Sequence, residues 1–252
     1  MLAAERRDFL LARLANDGKV VAKDVAAELG LSDDSVRRDL REMAAAGLCQ
    51  RVYGGALPNS PALADYAARH DVAPESKRRV ASAAVRLIEP GATVTLDGGT
   101  TTLAVVNAMP PDLDCTVITH SPTIAAALVS HPTVEVFLLG GRLFKHSAVT
   151  CGAVAAEAAA AISADLFFLG VTGVHPERGL TTGDPDEAAM KRALSARAAE
   201  TYVLASAEKI GAVSPYTVMD LGSVTGVITD ASTQDQTVQA LSRAGVTVIH
   251  GP

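Results

Sequence analysis

Near the N-terminus, apolar positions recur at helical spacing in three short blocks. Leu10 and Leu14 stand four apart, with Arg6, Arg7 and Arg13 on other faces, and the pattern stops at Asn16-Asp17-Gly18. Val25, Ala26 and Leu29 share a face of a second helix over 22–29, which Gly30 ends; Val21 stands before it where a capping hydroxyl would help. Ser32 is a good N-cap for a third helix. Asp33 and Asp34 suit its positive end, and Val36, Leu40 and Met43 make its buried stripe up to Gly47. Residues 48–53 then read as an extended segment with its turn at Gly54-Gly55.

Residues 57–74 hold three prolines and little periodicity, with room for one short helix around 63–69. A helical pattern on Val80, Ala84 and Leu87 runs from Glu75 to Pro90-Gly91. Beyond it, short apolar runs at 93–96, 115–119, 135–139, 166–170, 201–204, 226–228 and 246–249 predict strands. Helical patterns at 101–109, 121–130, 151–162, 185–199 and 235–244 fall between most of them. Strands alternating with helices predict an α/β fold, a parallel sheet covered on both faces. The chain divides into a head, 1–57, a linker, 58–74, and an α/β body, 75–252.

Ligands of such sheets sit at the carboxyl ends of the strands. Small polar residues cluster there: Asp97-Gly98-Gly99-Thr100-Thr101-Thr102, then Thr119-His120-Ser121, then Gly140-Gly141. In the first cluster, glycines let a ligand approach the backbone, and free N–H groups at a helix start favour an anion. Asp97 is a candidate acceptor for a hydroxyl, and Lys191 and Lys209 are candidate counter-charges. Simple turns and solvated lysines are the alternative for each cluster taken alone.

Composition narrows the class. At 252 residues and 48% hydrophobic, the chain can bury a core and is not disordered. Aromatics are only 4%, so the core rests on Val, Leu, Ile and Ala. Cys49, Cys115 and Cys151 are far apart and form no CxxC, which excludes a disulfide framework and a zinc knuckle; no metal or cofactor is expected. Charges within the first seven residues and the absence of a long apolar run read as a cytoplasmic chain without leader or membrane span. The head carries nine basic and nine acidic residues, so the whole formal charge of −6 sits on residues 58–252. No global basicity announces nucleic acid, and a DNA site must come from where charges lie. Ser35, Arg37, Arg38 and Arg41 fall outside the third helix's apolar stripe, and Arg51 and Tyr53 lie on the extended segment after it. Such side chains reach bases and phosphates when the helix enters a major groove. A solvated face paired with Asp34, Asp39 and Glu42 is the alternative.

The run Ser32-Asp33-Asp34-Ser35-Val36-Arg37-Arg38-Asp39-Leu40-Arg41, followed by Gly47-Leu48 and by Arg51-Val52-Tyr53-Gly54-Gly55-Ala56, resembles the signature of DeoR-type transcriptional repressors. Tyr53 stands where that family commonly has His. The resemblance continues through Lys77, Leu96–Thr102, Thr119–Ser121, Gly140-Gly141, Gly170–Gly173, Gly179-Leu180, Lys191-Arg192-Ala193 and Lys209. It implies a winged helix-turn-helix on operator DNA and an effector-sensing body similar in fold to ribose-5-phosphate isomerase. It also implies a phosphorylated sugar as effector. His120 stands at a usual Asn, and Ser206 begins a segment that usually begins with Asp.

The rival reading is an isomerase acting on a sugar phosphate, which needs a general base. The isomerase pattern puts Met190 at the base, immediately before Lys191, and Leu169 and Thr172 at two Asp positions. Met and Leu accept no proton, so a sensor is expected and no catalytic residue, with Glu187, Asp184 and Asp186 as the nearby carboxylates. A small neutral head further predicts a homo-oligomer that engages two heads at once.

Overall fold

The computed structural model describes residues 2–252. The head runs α1 (Ala3–Asp17), β1 (Val20–Val21), α2 (Ala22–Leu29), α3 (Asp33–Ala45), β2 (Gln50–Val52) and β3 (Gly55–Leu57). Leu10, Leu14, Val25, Val36, Leu40 and Met43 form its core, so the three predicted stripes meet. Ser32 caps α3 by accepting from Ser35 N, whereas Val21 gives α2 no side-chain cap. The three strands form an antiparallel sheet in the order β1-β3-β2. The wing's turn lies at Tyr53-Gly54, one residue earlier than its sequence suggests, because Gly55 opens β3. A Cβ at Gly55 would stand 1.9 Å from Val20 O, so only glycine lets β1 pair there.

Arg6 departs from the solvent face expected of it. It is buried and makes a two-pronged contact with the buried Asp39 of α3, Nη2 to Oδ1 at 2.9 Å and Nε to Oδ2. This charged fork ties α1 to α3.

Residues 58–74 hold two 3₁₀ turns, Pro61–Leu63 and Ala68–Asp71, rather than one short helix. The segment packs on the body: Ser60 and Ala62 are buried, Tyr66 N donates to His146 O at 2.8 Å, and Asn59 bridges to Val213.

The body continues α4 (Pro74–Val85), β4 (Thr93–Leu96), α5 (Thr100–Ala108), β5 (Cys115–Thr119), α6 (Pro122–Leu128), β6 (Val134–Leu138), β7 (Arg142–Phe144), β8 (Val149–Cys151), α7 (Ala153–Ala160), β9 (Ala164–Gly170), β10 (Gly173–His175), β11 (Gly179–Thr182), α8 (Pro185–Ser195), β12 (Ala198–Ala205), β13 (Tyr216–Met219), β14 (Gly226–Thr229), α9 (Gln236–Arg243) and β15 (Val248–His250). The seven strands expected from sequence form one parallel sheet in the order β15-β14-β12-β9-β4-β5-β6. Side chains of β9 alternate between two cores. Phe167 and Leu169 face one that includes α8 and α9 residues, and Leu166 and Phe168 face the other, with α4 and α5 residues. Two small sheets were not anticipated, the β7–β8 hairpin and the β10-β11-β13 sheet. Cys151 ends β8 rather than starting a helix. No helix among the described residues is long and apolar enough to cross a membrane.

The chain leaves β4 toward β5 and β6, then returns to β9 on the other side of β4. Strand order therefore reverses between β4 and β9, the place where such sheets open a crevice at their carboxyl ends.

Candidate functional site

A pocket opens at that reversal. The β4–α5 turn supplies Gly98, Gly99, Thr100, Thr101 and Thr102, the end of β9 supplies Gly170 and Thr172, and the turn after β12 supplies Glu208 and Lys209. Lys191 and Glu187 come from α8, Lys77 from α4, Ser147 from the β7–β8 hairpin, and Arg69 from the segment before α4. A Cβ at Gly98 would meet Val149 Cγ1 at 2.0 Å, and Gly99 holds a φ of 120° that side chains rarely adopt. Gly99 begins α5 without any side-chain cap, so the helix opens onto the pocket with its first N–H groups uncapped.

Asp97 lies under this floor with no exposed surface. Its Oδ1 accepts from Gly98 N (2.7 Å) and faces His120 Nε2 (2.8 Å); its Oδ2 accepts from Lys191 Nζ (2.6 Å) and Gly170 N (2.8 Å). Both oxygens are committed, which overturns the expectation that Asp97 accepts from a ligand hydroxyl. Burial pushes its carboxyl up, but Lys191 and the His120 hydrogen bond outweigh this and hold it well below the usual carboxylate range. Burial works against the Lys191 ammonium, and Asp97 and Glu187 raise it all the same.

Of the three strand-end clusters, only the first lines the pocket. Thr119, His120 and Ser121 are fully buried beneath the β7–β8 hairpin. His120 Nδ1 faces Thr150 O at 2.8 Å, Thr119 Oγ1 donates to Leu96 O at 2.7 Å, and Ser121 Oγ to Ala148 O at 2.9 Å. Gly140 and Gly141 are exposed beyond the end of the edge strand β6. They sit away from the strand-order reversal, and a hairpin that the sequence did not announce covers the β5 end.

The pocket's cations are unevenly matched. Asp97 neutralises Lys191, but among the described residues Arg69, Lys77 and Lys209 form no ion pair. Lys77 Nζ donates to Arg69 O at 2.5 Å, and Lys209 Nζ to Thr101 Oγ1 at 2.8 Å. Burial lowers all three. For Lys209, Glu208 opposes burial while Lys77, Arg69 and Lys191 reinforce it, bringing the ammonium down to about 8. Arg69 Nε and Thr102 Oγ1 are buried without a partner, as is Oε2 of Glu208, whose Oε1 accepts from Ser206 Oγ at 2.6 Å. Such groups are costly unless something else satisfies them.

Sequence reasoning missed Arg69, Ser147, Thr182 and Glu208 in this pocket, and met Lys77, Thr172 and Glu187 only in other roles. Lys77 had a signal: it stands three residues before Val80, on the buried face of α4. Arg69 had none, since nothing in a Pro-rich connecting segment marks which side chain folds inward. Of the carboxylates weighed as bases, Glu187 lines the pocket, whereas Asp184 caps α8 and Asp186 lies outside against Arg142. Leu169 and Met190 are core residues. No group of three His, Cys, Asp or Glu among the described residues is placed to hold a metal, and the three cysteines are buried and free.

On the head, Arg37, Arg38, Arg41 and Arg51 are exposed, Tyr53 stands free at the wing tip, and Ser35 is half-buried with its Oγ against Ser32 Oγ at 2.9 Å. Arg37 pairs with Asp33 at 2.8 Å. Asp39 is turned inward to Arg6, and Glu42 sits 3.7 Å from Arg7. Arg38, Arg41 and Arg51 thus have no ion pair among the described residues, and Arg37 is neutralised by Asp33 rather than by the acids of the solvated-face alternative. A shallow cleft between α3 and the wing is lined by Arg37, Leu40, Arg51 and Gly54.

Residues 6–62 match the DeoR-like helix-turn-helix domain, and residues 72–231 match the DeoR C terminal sensor domain. The chain belongs to the DeoR family. It is a DNA-binding transcriptional regulator. A protein assigned as the aga operon transcriptional repressor of Escherichia coli O157:H7 is 33% identical to it, over 98% of this chain and 93% of that protein. The HTH-type transcriptional regulator GlpR of Haloferax volcanii is 34% identical, over 100% of this chain and 99% of that protein. Among solved structures, ribose 5-phosphate isomerase A from Methanocaldococcus jannaschii overlaps 52% of this chain and 51% of its own, with 18% identity and a TM-score of 0.38.

Proposed function

We propose that the regulator represses carbohydrate genes in the cytoplasm, and that a sugar monophosphate in the body's pocket changes its grip on operator DNA. One observation carries the reading. Arg69, Lys77 and Lys209 converge, without ion pairs among the described residues, on a pocket where α5 begins uncapped. Cations and helix N–H groups together fit a phosphate. Glu187 and Glu208, lining the same pocket, fit the hydroxyls of a polyol. The operator-repressor name of one relative supports repression, and the exposed arginines of α3 supply the groove contacts. The reading is of a sensor without catalysis, because Leu169 and Met190 fill core positions and only Glu187 offers the pocket a carboxylate near Lys191.

Calorimetry on the full chain should show binding of at least one of glucose 6-phosphate, fructose 1-phosphate and ribose 5-phosphate. The unphosphorylated sugars should bind at least about tenfold more weakly. A bound ester should alter affinity for duplexes selected by the protein from a random library, and ribose 5-phosphate should not turn over above the protein-free rate. Tighter binding of the free sugar, or turnover that Glu187→Gln abolishes, would overturn the reading.

A further inference from the structure

The segment joining head to body is part of the pocket, and it also touches the recognition helix. At one end, Arg69 lines the pocket, with its Nε buried and unpartnered. Its carbonyl accepts from Lys77 Nζ at 2.5 Å and from Thr100 Oγ1 at 3.4 Å, and both donors are pocket residues. At the other end, Asn59 Nδ2 donates to Gly47 O at 2.8 Å, immediately beyond the C-cap of α3. Between these points Asn59 bridges to Val213. The next residue, Ser214, accepts from the pocket-lining Thr172 Oγ1 at 2.7 Å. Hydrogen-bonded contacts therefore lead from two walls of the pocket to the end of the helix that carries Arg38 and Arg41.

We propose that residues 59–69 form a strap that reports occupancy of the pocket to α3, with Arg69 contacting the anion and Asn59 fastening the strap to the recognition helix. The inference rests on the anion reading of the pocket. Lys77 and Thr100 hold the strap's backbone through the Arg69 carbonyl, and a bound anion would draw the same two donors and the Arg69 guanidinium toward itself. Strap position would thus differ with and without ligand, which is the differential contact that a ligand-driven shift requires. Asn59 then sets whether that difference reaches Gly47. Coupling of this kind amounts to about 5–150-fold in affinity.

The experiment uses the full chain, the best-binding of the three sugar phosphates named above, and a selected duplex. Operator affinity is read by fluorescence anisotropy with and without ligand, and ligand affinity by calorimetry. Asn59→Ala should bind the sugar phosphate as the unaltered protein does, while the ligand-induced change in operator affinity shrinks to within about twofold. Arg69→Met should bind the ligand at least about tenfold more weakly; thermal melts within a few degrees of the unaltered protein exclude misfolding as the cause. Arg69→Lys, which keeps charge but loses the planar fork, should recover only part of the affinity. Full coupling in Asn59→Ala, or unchanged ligand affinity in Arg69→Met, would overturn the strap while leaving the sugar-phosphate reading intact. Failure of the unaltered protein to bind any of the three esters would overturn both.

Discussion

Asp97 Oδ2 accepts from Lys191 and the Gly170 amide, and Oδ1 accepts from the Gly98 amide and faces His120, with Asp97 and His120 fully buried. Removing one partner of a buried pair strands the other's charge, at a cost of about 3–5 kcal/mol. Asp97→Asn should lose stability of that order in urea melts at pH 7, well before any question of ligand arises. The folded carboxyl lies far below the ordinary value of 3.8, so its contribution is complete above that value. It fades as pH falls toward the lowered folded value, and the gap between variant and unaltered protein should narrow there. Equal midpoints at pH 7 would show that the pair is not holding the floor. Lys209 predicts the opposite pH behaviour for binding. Burial and the neighbouring cations bring its ammonium down to about 8, so above that pH an anion must first recover a proton. Sugar-phosphate affinity should hold steady from pH 7 to about 8 and then fall, approaching tenfold per pH unit. Calorimetry from pH 7 to 9.5 checks it, and Lys209→Met should flatten the profile.

Among the elements, α3 carries most of the exposed arginines on which the proposed DNA recognition rests. Arg38 has no ion pair, whereas Arg37 must first leave Asp33. Arg38→Ala should therefore weaken a selected duplex by about 1–3 kcal/mol with relaxed sequence preference, as loss of a base contact does. Arg51→Ala, on the wing, should weaken all duplexes alike and lower the salt slope by about one. Anisotropy titrations at several salt concentrations separate the two, and unchanged affinity in both variants would place the interface elsewhere. Helices and central strands were legible because burial dictates their apolar content: β4, β5, β9 and β14 are buried almost throughout and β12 over its second half, and each centres on Val, Leu, Ile or Phe, with buried Thr between them in β4. The β7–β8 hairpin and the β10-β11-β13 sheet were not legible, since no helical pattern separates these short strands from their neighbours and the strand–helix alternation does not mark them. Their concealment explains the misplaced site residues. Thr119, His120 and Ser121 look like a strand-end ligand cluster until the hairpin covers them. Asp97 looks like a ligand acceptor until α8 brings Lys191 from 94 residues away. The Gly98–Thr102 loop was readable because its chemistry is backbone chemistry, local to the turn.

At the scale of the molecule, charge and size argue for more than one head on DNA. The head is neutral, with four of its nine basic side chains on α3 and the wing, and residues 58–252 carry the whole −6, which repels phosphate. A single module buries only about 600–1,000 Å² on a duplex, so one head should bind weakly. Joining two makes the second contact intramolecular and raises avidity by about 10²–10⁴. The body offers a face for joining: β6 is one edge of the sheet, and Phe137 and Leu138 are exposed on it, apolar surface of the sort that interfaces cover. Light scattering should then give a multiple of 25.9 kDa. Selected duplexes should contain paired half-sites separated by whole helical turns, and inserting about five base pairs between them should turn one head to the far side of the DNA and weaken binding sharply. Leu138→Lys on the sheet edge should lower the mass and the operator affinity together while sugar-phosphate binding persists. A monomeric mass with indifference to half-site spacing would mean that one head suffices.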